Sequence, residues 1–327
     1  MSTIRFGIIG IGNHGLRYAR HLRRGEVEGA SLAVVCRRDR ARGEAAAREL
    51  GVSFVDDHRK VLSDPSVDAV AIVVPCNLHP LLVPQALEAG KAVLVEKPLA
   101  PDPEGARRIV EASCRHAPIA MVAQTLRFNA VIRLLRERKE AIGPLRFVSL
   151  SQRFEPSERE WLDDPEAGGL LRNTGVHSFD LLRYLTGLEV EQATCLASRG
   201  PGRRMEDSFG VVLRLSGGVL ATVDNARTTA SRTGRVELAG EKGQLAGDHV
   251  HHWAVEIHGT EIREIDVPPP LPTVRECLAA FTAAVRGEIP VPVPLVEGLR
   301  AVEIVEACRR SAETGASRAV ETGAGGT

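Results

Sequence analysis

Residues 4–15, Ile-Arg-Phe-Gly-Ile-Ile-Gly-Ile-Gly-Asn-His-Gly, decide the fold of this chain. The first half is a short apolar run that predicts a buried strand over 4–9, and the second half has the spacing G-x-G-x-x-G. Glycines in this loop permit a tight turn and let a pyrophosphate approach the backbone where the next helix begins. A strand, this loop and a helix in that order are typical of a dinucleotide-binding domain. The predicted cofactor contacts in the loop are Gly10, Gly12, Asn13 and His14.

The alternation of strands and helices continues to about residue 124. Further apolar strands are predicted over 31–36, 68–75, 92–96 and 119–124. The helices between them are predicted over 16–24, 40–50, 81–89 and 103–115. Continuous apolar strands separated by helices predict an α/β fold with a doubly wound parallel sheet. Residues 1–124 are therefore the predicted Rossmann domain.

From residue 125 the pattern changes to long extended segments, and glycine-containing turns separate the later ones. These predicted strands cover 145–154, 190–199, 208–215, 219–226, 235–239, 254–257 and 262–267. The predicted helices cover 130–142, 168–187, 274–286 and 295–314. This pattern predicts a second, α+β domain over 125–327 with a large, open, mainly antiparallel sheet. It is the predicted substrate-binding and oligomerisation domain, and its helix 295–314 could return to pack on the first domain.

Composition narrows the classes of protein to which this chain can belong. Its 42 basic and 42 acidic residues give a net charge of zero, which disfavours nucleic acid and anionic membranes as partners. No apolar run approaches the roughly 20 residues that span a bilayer. Six scattered cysteines without a C-x-x-C motif indicate buried thiols in a reducing compartment, so we expect a cytoplasmic protein. The cluster His249-Val-His251-His252 lacks a completing ligand, so no metal site is predicted.

The end of the second strand bears on the choice of cofactor. Dinucleotide domains that bind NAD usually place an acidic residue there, where it accepts a hydrogen bond from the ribose 2′-hydroxyl. This chain has Arg37 and Arg38 at that point, followed by Asp39. Two guanidinium groups suit a 2′-phosphate, so NADP is favoured over NAD. Asp39 could still take the acidic role, which leaves NAD as the alternative.

Two further segments end predicted strands of the same sheet. Lys97 follows the strand over 92–96, and ligands of open α/β sheets gather outside the carboxyl ends of the strands, so Lys97 should point into the cofactor cleft. Desolvation and a nearby nicotinamide cation would both lower the pKa of such a lysine. Pro75 ends the strand before it, and His79 follows that strand. His79 either lines the nicotinamide pocket or caps its own loop.

A row of polar side chains interrupts the apolar segment Gly-Gly-Leu-Leu-Arg-Asn-Thr-Gly-Val-His-Ser-Phe-Asp over 168–180. If this segment is helical, Asn173, His177 and Asp180 share one face. A histidine in an apolar segment is more often a satisfied core residue than a catalyst. A catalytic role is nevertheless chemically suitable, because the pKa of histidine lies near neutrality.

Several motifs along the chain resemble those of the Gfo/Idh/MocA oxidoreductases, the family of glucose–fructose oxidoreductase and inositol dehydrogenase. In order they are GIIGIGNHG (7–15), PCNLH (75–79), EAGKAVLVEKPLA (88–100), LRFN (126–129), GGLLRNTGVHSFD (168–180) and LLRYLTG (181–187). The resemblance covers nearly the whole chain. It implies that Lys97 and His177 are catalytic beside the nicotinamide, that Asp180 contacts substrate, and that Glu96 belongs to the cofactor site.

The same resemblance implies an NAD(P)-dependent enzyme that moves hydride to or from a secondary alcohol or ketone of a sugar or cyclitol. Many active members carry aspartate four residues before the histidine, where this chain has Asn173. The alternative is therefore a non-catalytic NAD(P)-binding sensor of the same fold. A homodimer or homotetramer through the open sheet face is also implied. The side chains predicted to bind substrate are Arg127, Arg153, Trp161, Asn173 and Asp180.

Overall fold

The computed structural model describes residues 3–157, 160–166 and 168–322. Contacts divide the described chain into two units. The first unit contains the residues up to Thr125 together with Pro272–Leu299, and the second contains Leu126–Leu271 and the residues from Arg300 onward. The sequence placed 272–299 in the second domain, whereas their contacts group them with the first unit.

The sheet of the first unit is parallel, and its six described strands lie in the order β3-β2-β1-β4-β5-β6. These strands are β1 (Ile4–Ile9), β2 (Ala30–Cys36), β3 (Ser53–Val55), β4 (Ala69–Ile72), β5 (Ala92–Val95) and β6 (Ala120–Val122). Strand order reverses between β1 and β4, which is where a doubly wound sheet opens a crevice at its carboxyl edge. The Rossmann fold predicted from the sequence is confirmed. The short strand β3 was missed by the prediction.

The helices of the described chain follow in sequence order. They are α1 (Asn13–Arg23), α2 (Arg40–Leu50), α3 (His58–Leu62), α4 (His79–Glu88), α5 (Pro103–Arg115), α6 (Ala130–Arg138), α7 (Val176–Thr186), α8 (Thr273–Val285) and α9 (Leu295–Thr314). The bounds of α2 and α5 agree with the sequence prediction, and a capping aspartate marks the start of each. Asp39 caps the start of α2, and Gly51 ends it in the left-handed region at φ 63°.

The sheet of the second unit has nine described strands in the order β14-β13-β12-β11-β7-β10-β9-β8-β15. They are β7 (Leu145–Arg153), β8 (Val190–Ser198), β9 (Ser208–Leu215), β10 (Leu220–Ala226), β11 (Thr233–Gly240), β12 (Gln244–Asp248), β13 (Trp253–His258), β14 (Glu261–Ile265) and β15 (Arg318–Ala319). Neighbours run antiparallel except β7 and β10, which are parallel. The sheet is therefore mixed and mainly antiparallel, as the sequence predicted.

The central segment departs from the single helix predicted over 168–187. A π turn covers Leu171–Gly175, in which the backbone N–H of Val176 donates to the carbonyl of Leu171, five residues earlier. The regular helix α7 begins only at Val176 and ends before Gly187, whose φ is 73°. Turns of this kind inside helices are often found at functional sites.

The core of the second unit lies between α7 and one face of its sheet. Phe179, Leu182 and Leu185 of α7 are fully buried in a cluster with Leu150 of β7 and Val223 of β10. In the first unit the rings of Phe6 and Phe281 meet edge to face at 5.9 Å, which packs α8 on β1. None of the described helices has the length and apolar character that crossing a bilayer requires.

Candidate active site

The phosphate loop of the first unit is shaped by its three glycines in different ways. A Cβ on Gly10 would lie 2.2 Å from the carbonyl oxygen of Val73, and one on Gly15 would lie 2.2 Å from that of Gly10. Packing therefore excludes side chains at both positions. A Cβ on Gly12 would meet no described atom within 4 Å. The loop is thus open at Gly12, where a pyrophosphate would approach the backbone.

The start of α1 adds to this fit. The helix begins at Asn13, and among the described residues no side chain caps its N-terminus. The first N–H groups of a helix need acceptors, and the helix dipole favours an anion there. The loop and the helix start together fit the diphosphate of a dinucleotide.

His14 of the phosphate loop contacts a buried carboxylate. Its Nε2 lies 2.6 Å from Oε1 of Glu96, and the Tyr18 hydroxyl donates to the same oxygen at 2.5 Å. Tyr18 and Glu96 are buried, whereas 43% of the His14 side chain is exposed. The carboxylate therefore joins the phosphate loop and α1 to the end of β5. The sequence prediction missed Tyr18, which lies one helical turn after His14.

Glu96 is held as an anion. Burial by itself raises the pKa of Glu96, but the hydrogen bond and charge of His14, the charge of Lys97 and the Tyr18 hydroxyl together lower it from 4.5 to about 2. Its second oxygen accepts from the backbone N–H of Lys97 at 3.1 Å. Glu96 thus contacts the loop and the lysine backbone, and its predicted contact with the cofactor remains a prediction.

Lys97 is half-buried directly after β5, and the bond that follows it, to Pro98, is cis. The ring of His79 contacts the backbone of this turn. Its Nδ1 lies 3.1 Å from the carbonyl oxygen of Pro98, and its Nε2 lies 3.1 Å from that of Val74. His79 is fully buried, and burial lowers its pKa. This position agrees with the loop-capping alternative, whereas Pro75 is exposed at the sheet edge.

Gln124 ends the neighbouring strand region of the same sheet and was not singled out from the sequence. The backbone N–H of Ala123 donates to Val95 at 2.8 Å, so residues 123 and 124 continue alongside Glu96 and Lys97. Gln124 is 1% exposed, and neither atom of its amide has a hydrogen-bond partner among the described residues. A buried amide of this kind fits a bound group that offers both a donor and an acceptor.

At the predicted ribose end of the site, the two arginines differ. Nη1 of Arg37 donates to the carbonyl oxygen of Ile11 at 2.8 Å, so this side chain leans toward the phosphate loop. Arg38 is exposed. Asp39 accepts a hydrogen bond from the backbone N–H of Arg42 at 3.1 Å and serves as the N-cap of α2.

In the second unit, Asn173 and His177 lie on a partly exposed side of the π turn and α7. Asp180 does not share that exposure, because its side chain is 1% exposed. Arg127 donates to both of its oxygens, from Nε at 2.8 Å and from Nη2 at 2.6 Å. The structure therefore joins two predicted substrate contacts to each other in a buried ion pair. Their binding of substrate remains a prediction.

The two other predicted substrate contacts belong to elements other than α7. Gln152 of β7 faces α7, and because side chains alternate along a strand, Arg153 points to the opposite face of the sheet. There Arg153 forms an ion pair with Asp224. Trp161 lies in a short 3₁₀ turn, Glu160–Asp163, with 47% of its side chain exposed. Substrate binding by Arg153 and by Trp161 remains a prediction.

The histidine cluster forms a tight turn between β12 and β13. Oδ1 of Asp248 accepts from the backbone N–H groups of Val250 and His251, at 2.8 and 3.0 Å. His249 is packed against Gly234, and burial lowers its pKa to about 4. Among the described residues, no group of three or more His, Cys, Asp or Glu side chains is arranged to hold a metal ion.

Comparison with known proteins gives two matching family models. The model of an oxidoreductase family with an NAD-binding Rossmann fold, GFO_IDH_MocA, matches residues 4–124. The model of the GFO/IDH/MocA C-terminal domain matches residues 131–246. Together the two matches extend over most of the chain and over both units.

Individual relatives agree with these models. The chain is 30% identical to myo-inositol 2-dehydrogenase of Thermotoga maritima over 264 residues, which cover 77% of each protein. It is 31% identical to 1,5-anhydro-D-fructose reductase of Ensifer adhaerens over 296 residues, 86% of this chain and 89% of the relative. The crystal structure of a probable dehydrogenase from Thermotoga maritima superposes with a TM-score of 0.85 at 26% identity, covering 97% of this chain and 99% of that one.

Proposed function

This chain belongs to the Gfo/Idh/MocA oxidoreductase family, and on that premise we propose that it transfers hydride between a nicotinamide cofactor and a secondary alcohol or ketone of a sugar or cyclitol. The observation that carries the proposal is the phosphate loop, which is open at Gly12 and leads into a helix whose N-terminus is capped by no described side chain. The relatives named above are a cyclitol dehydrogenase and a reductase of an anhydro-sugar, which supports a polyhydroxylated ring as substrate.

The residues of the chain divide the chemistry between them. The nicotinamide, when bound, accepts or returns the hydride. In the oxidative direction we assign to His177 the removal of the proton of the substrate hydroxyl, and to Lys97 the stabilisation of developing negative charge, the two catalytic roles that the family resemblance implies. Asn173 can orient a neighbouring hydroxyl through its amide, although it cannot supply the charge of an aspartate. In the reductive direction His177 returns the proton to the oxygen.

We propose NADP as the preferred cofactor. Arg38 is exposed and suits a 2′-phosphate, and the carboxylate of Asp39 is already engaged as the cap of α2. Titration calorimetry with NADP and NAD tests this preference. Arg38→Ala is expected to weaken NADP binding about tenfold, the loss of one charge-assisted hydrogen bond, while NAD binding stays the same. Arg42→Ala, which removes a nearby exposed charge, is the control. Tighter binding of NAD by the wild type contradicts the preference.

A homo-oligomer through the open sheet face is also proposed. Phe147, Leu196, Val212 and Leu220 expose 38–75% of their surface on neighbouring strands of that face. Apolar side chains grouped on one sheet face are typical of an interface. Light scattering after size exclusion should give a dimer or tetramer for the wild type and a smaller species for Val212→Asp. Leu81→Asp, at an exposed position on α4, should leave the mass unchanged. A monomeric wild type contradicts this interface.

The first test of function is the absorbance of reduced nicotinamide over a panel of sugars, sugar acids, inositols and keto-sugars. Turnover by the wild type that falls at least about 100-fold in Lys97→Ala supports the proposed reaction. Lys60→Ala, an exposed lysine of the same unit, should retain full activity. Tight cofactor binding without turnover on any compound favours instead the sensor of the same fold, which the amide of Asn173 in place of an acid would explain.

A further inference from the structure

Three buried polar side chains lie where α7 packs on the sheet, and the proposed chemistry does not use them. Ser178 directly follows His177, and its Oγ lies 2.9 Å from Nε2 of Gln152 and 3.1 Å from Nδ2 of Asn225. The same oxygen lies 3.3 Å from Oδ1 of Asn225. The exposed fractions of Ser178, Gln152 and Asn225 are 0, 3 and 1%. We call these three residues the amide clamp.

The clamp gives the Ser178 hydroxyl two amide partners. Nε2 of Gln152 donates to its oxygen. With Asn225 the hydroxyl makes one hydrogen bond, in which it either accepts from Nδ2 or donates its proton to Oδ1, because one hydroxyl cannot do both with a single amide. Because hydrogen bonds are directional, a rotation of α7 about its axis would break at least one of them.

The two amide side chains come from paired strands inside the sheet. Gln152 lies on β7 and Asn225 on β10, and the two residues are paired in the parallel register that joins these strands. Both strands lie inside the sheet with neighbours on either side. The clamp therefore fixes α7 to the middle of the sheet and not to a loop.

Two further contacts hold the same segment on either side of His177. Before it, Oε1 of Glu206 accepts from the backbone N–H of Leu171 at 2.9 Å, at the start of the π turn. After it, Arg127 holds Asp180. The clamp acts at the position adjacent to His177, so it has the most direct influence on where that ring lies.

We propose that Gln152, Ser178 and Asn225 are positioning residues, which set the rotation of α7 so that His177 and Asn173 face the substrate. This role rests on the proposed function. Apolar residues of similar size would also fill the space without the free energy lost in burying three polar groups. They would not select one rotation as strictly, because apolar contacts have no preferred direction.

The test replaces the whole clamp at once, in Gln152→Leu, Ser178→Ala, Asn225→Leu. When all partners of a buried polar network become apolar, stability changes little, so the variant should fold. We expect kcat to fall about 10- to 100-fold, as a displacement of about 1 Å at a catalytic group produces, with KM within about twofold of the wild type. Histidine-selective NMR gives a readout independent of turnover: the ring resonance of His177 should broaden or split.

Thr186→Val is the matched control. Thr186 is also buried on α7, and its hydroxyl donates to the carbonyl oxygen of Leu182 at 2.7 Å, far along the helix from His177. This variant should lose stability while keeping kcat and a single His177 resonance.

Two results would overturn the positioning role: a triple variant with wild-type kcat and an unchanged His177 resonance, or a kcat reduced only in proportion to the unfolded fraction. If the wild type has no turnover on the panel, the proposed reaction fails, and the resonance of His177 alone then decides whether the clamp positions the ring.

Discussion

At the scale of single residues, the pair Arg127–Asp180 shows what a sequence motif leaves out. The sequence predicts a separate contact with substrate for each residue, and only that of Asp180 comes from the family resemblance. The structure joins them across 53 positions of the chain in a bidentate ion pair whose side chains are 8 and 1% exposed. A motif indicates the role that a residue has in related proteins. The contacts of its side chain depend on residues that are distant in the sequence, and a local motif does not contain them.

Asp180→Asn should therefore reduce stability. Removing one partner of a buried ion pair leaves the other charge without compensation, which costs about 3 to 5 kcal/mol of unfolding free energy. Urea unfolding followed by circular dichroism measures the loss. The double variant Arg127→Met, Asp180→Leu should recover much of it, because no buried charge is left. If Asp180→Asn keeps wild-type stability and instead raises KM, the carboxylate binds substrate as the resemblance implied.

Glu96 gives a prediction about pH. Its pKa in the folded protein, about 2, lies below the ordinary 4.5, so the folded state favours the carboxylate. This stabilisation is complete above about pH 4.5 and disappears as the pH falls from 4.5 to 2. The difference in melting temperature between wild type and Glu96→Gln should be largest near neutral pH and shrink across that interval. Glu104→Gln, at an exposed position on α5, is the control and should show no such dependence on pH. A difference in melting temperature for Glu96→Gln that stays constant with pH would show that the charge of Glu96 is not what stabilises the fold.

At the scale of elements, local signals explain which predictions succeeded. α2 and α5 were predicted with their observed bounds because capping aspartates mark their starts and because Gly51 ends α2. The glycine loop was predicted for the same reason. The π turn was not, because its sequence has the ordinary helical pattern. Its start is held by Glu206, which lies 35 residues away from Leu171 and reaches it only in the fold.

Gly169 is the residue that makes room for this contact. Its φ is 87°, and a Cβ would lie 2.5 Å from Oε1 of Glu206. Gly169→Ala should therefore lower stability by more than the roughly 1 to 2 kcal/mol that the left-handed backbone alone costs an alanine. Gly202→Ala isolates that backbone term, since Gly202 has φ 75° and no described atom within 4 Å of its Cβ position. Equal losses in chemical denaturation of the two variants would show that the Glu206 contact contributes nothing.

At the scale of the whole molecule, each unit is built from two separate stretches of the chain. The first unit takes its last segment, Pro272–Leu299, from the chain after β14 of the second sheet. The sequence predicted a break near residue 124 because the alternation of strands and helices stops there. Nothing in the pattern of 274–286 shows which sheet that amphipathic helix covers, so its place with the first unit could not be predicted.

A fragment that ends at Thr125 should accordingly be unstable. It lacks Phe281, which is fully buried against Phe6, and the backbone bridge between Met121 and Pro294. We expect it to bind a hydrophobic dye and to melt without a cooperative transition. The same fragment joined to Pro272–Leu299 by a flexible linker should melt cooperatively. A cooperative transition in the short fragment would show that α8 is dispensable for this core.

The late return of α8 also has a consequence for biosynthesis. A ribosome releases the strands β1 to β6 long before it releases the helix that covers one side of them. The surface around Phe6 stays exposed to water during the synthesis of about 150 further residues, at a rate of 5–20 residues per second. The nascent dinucleotide domain therefore passes through a period of roughly 8 to 30 seconds in which chaperones can bind it, and it matures only after α8 has been made.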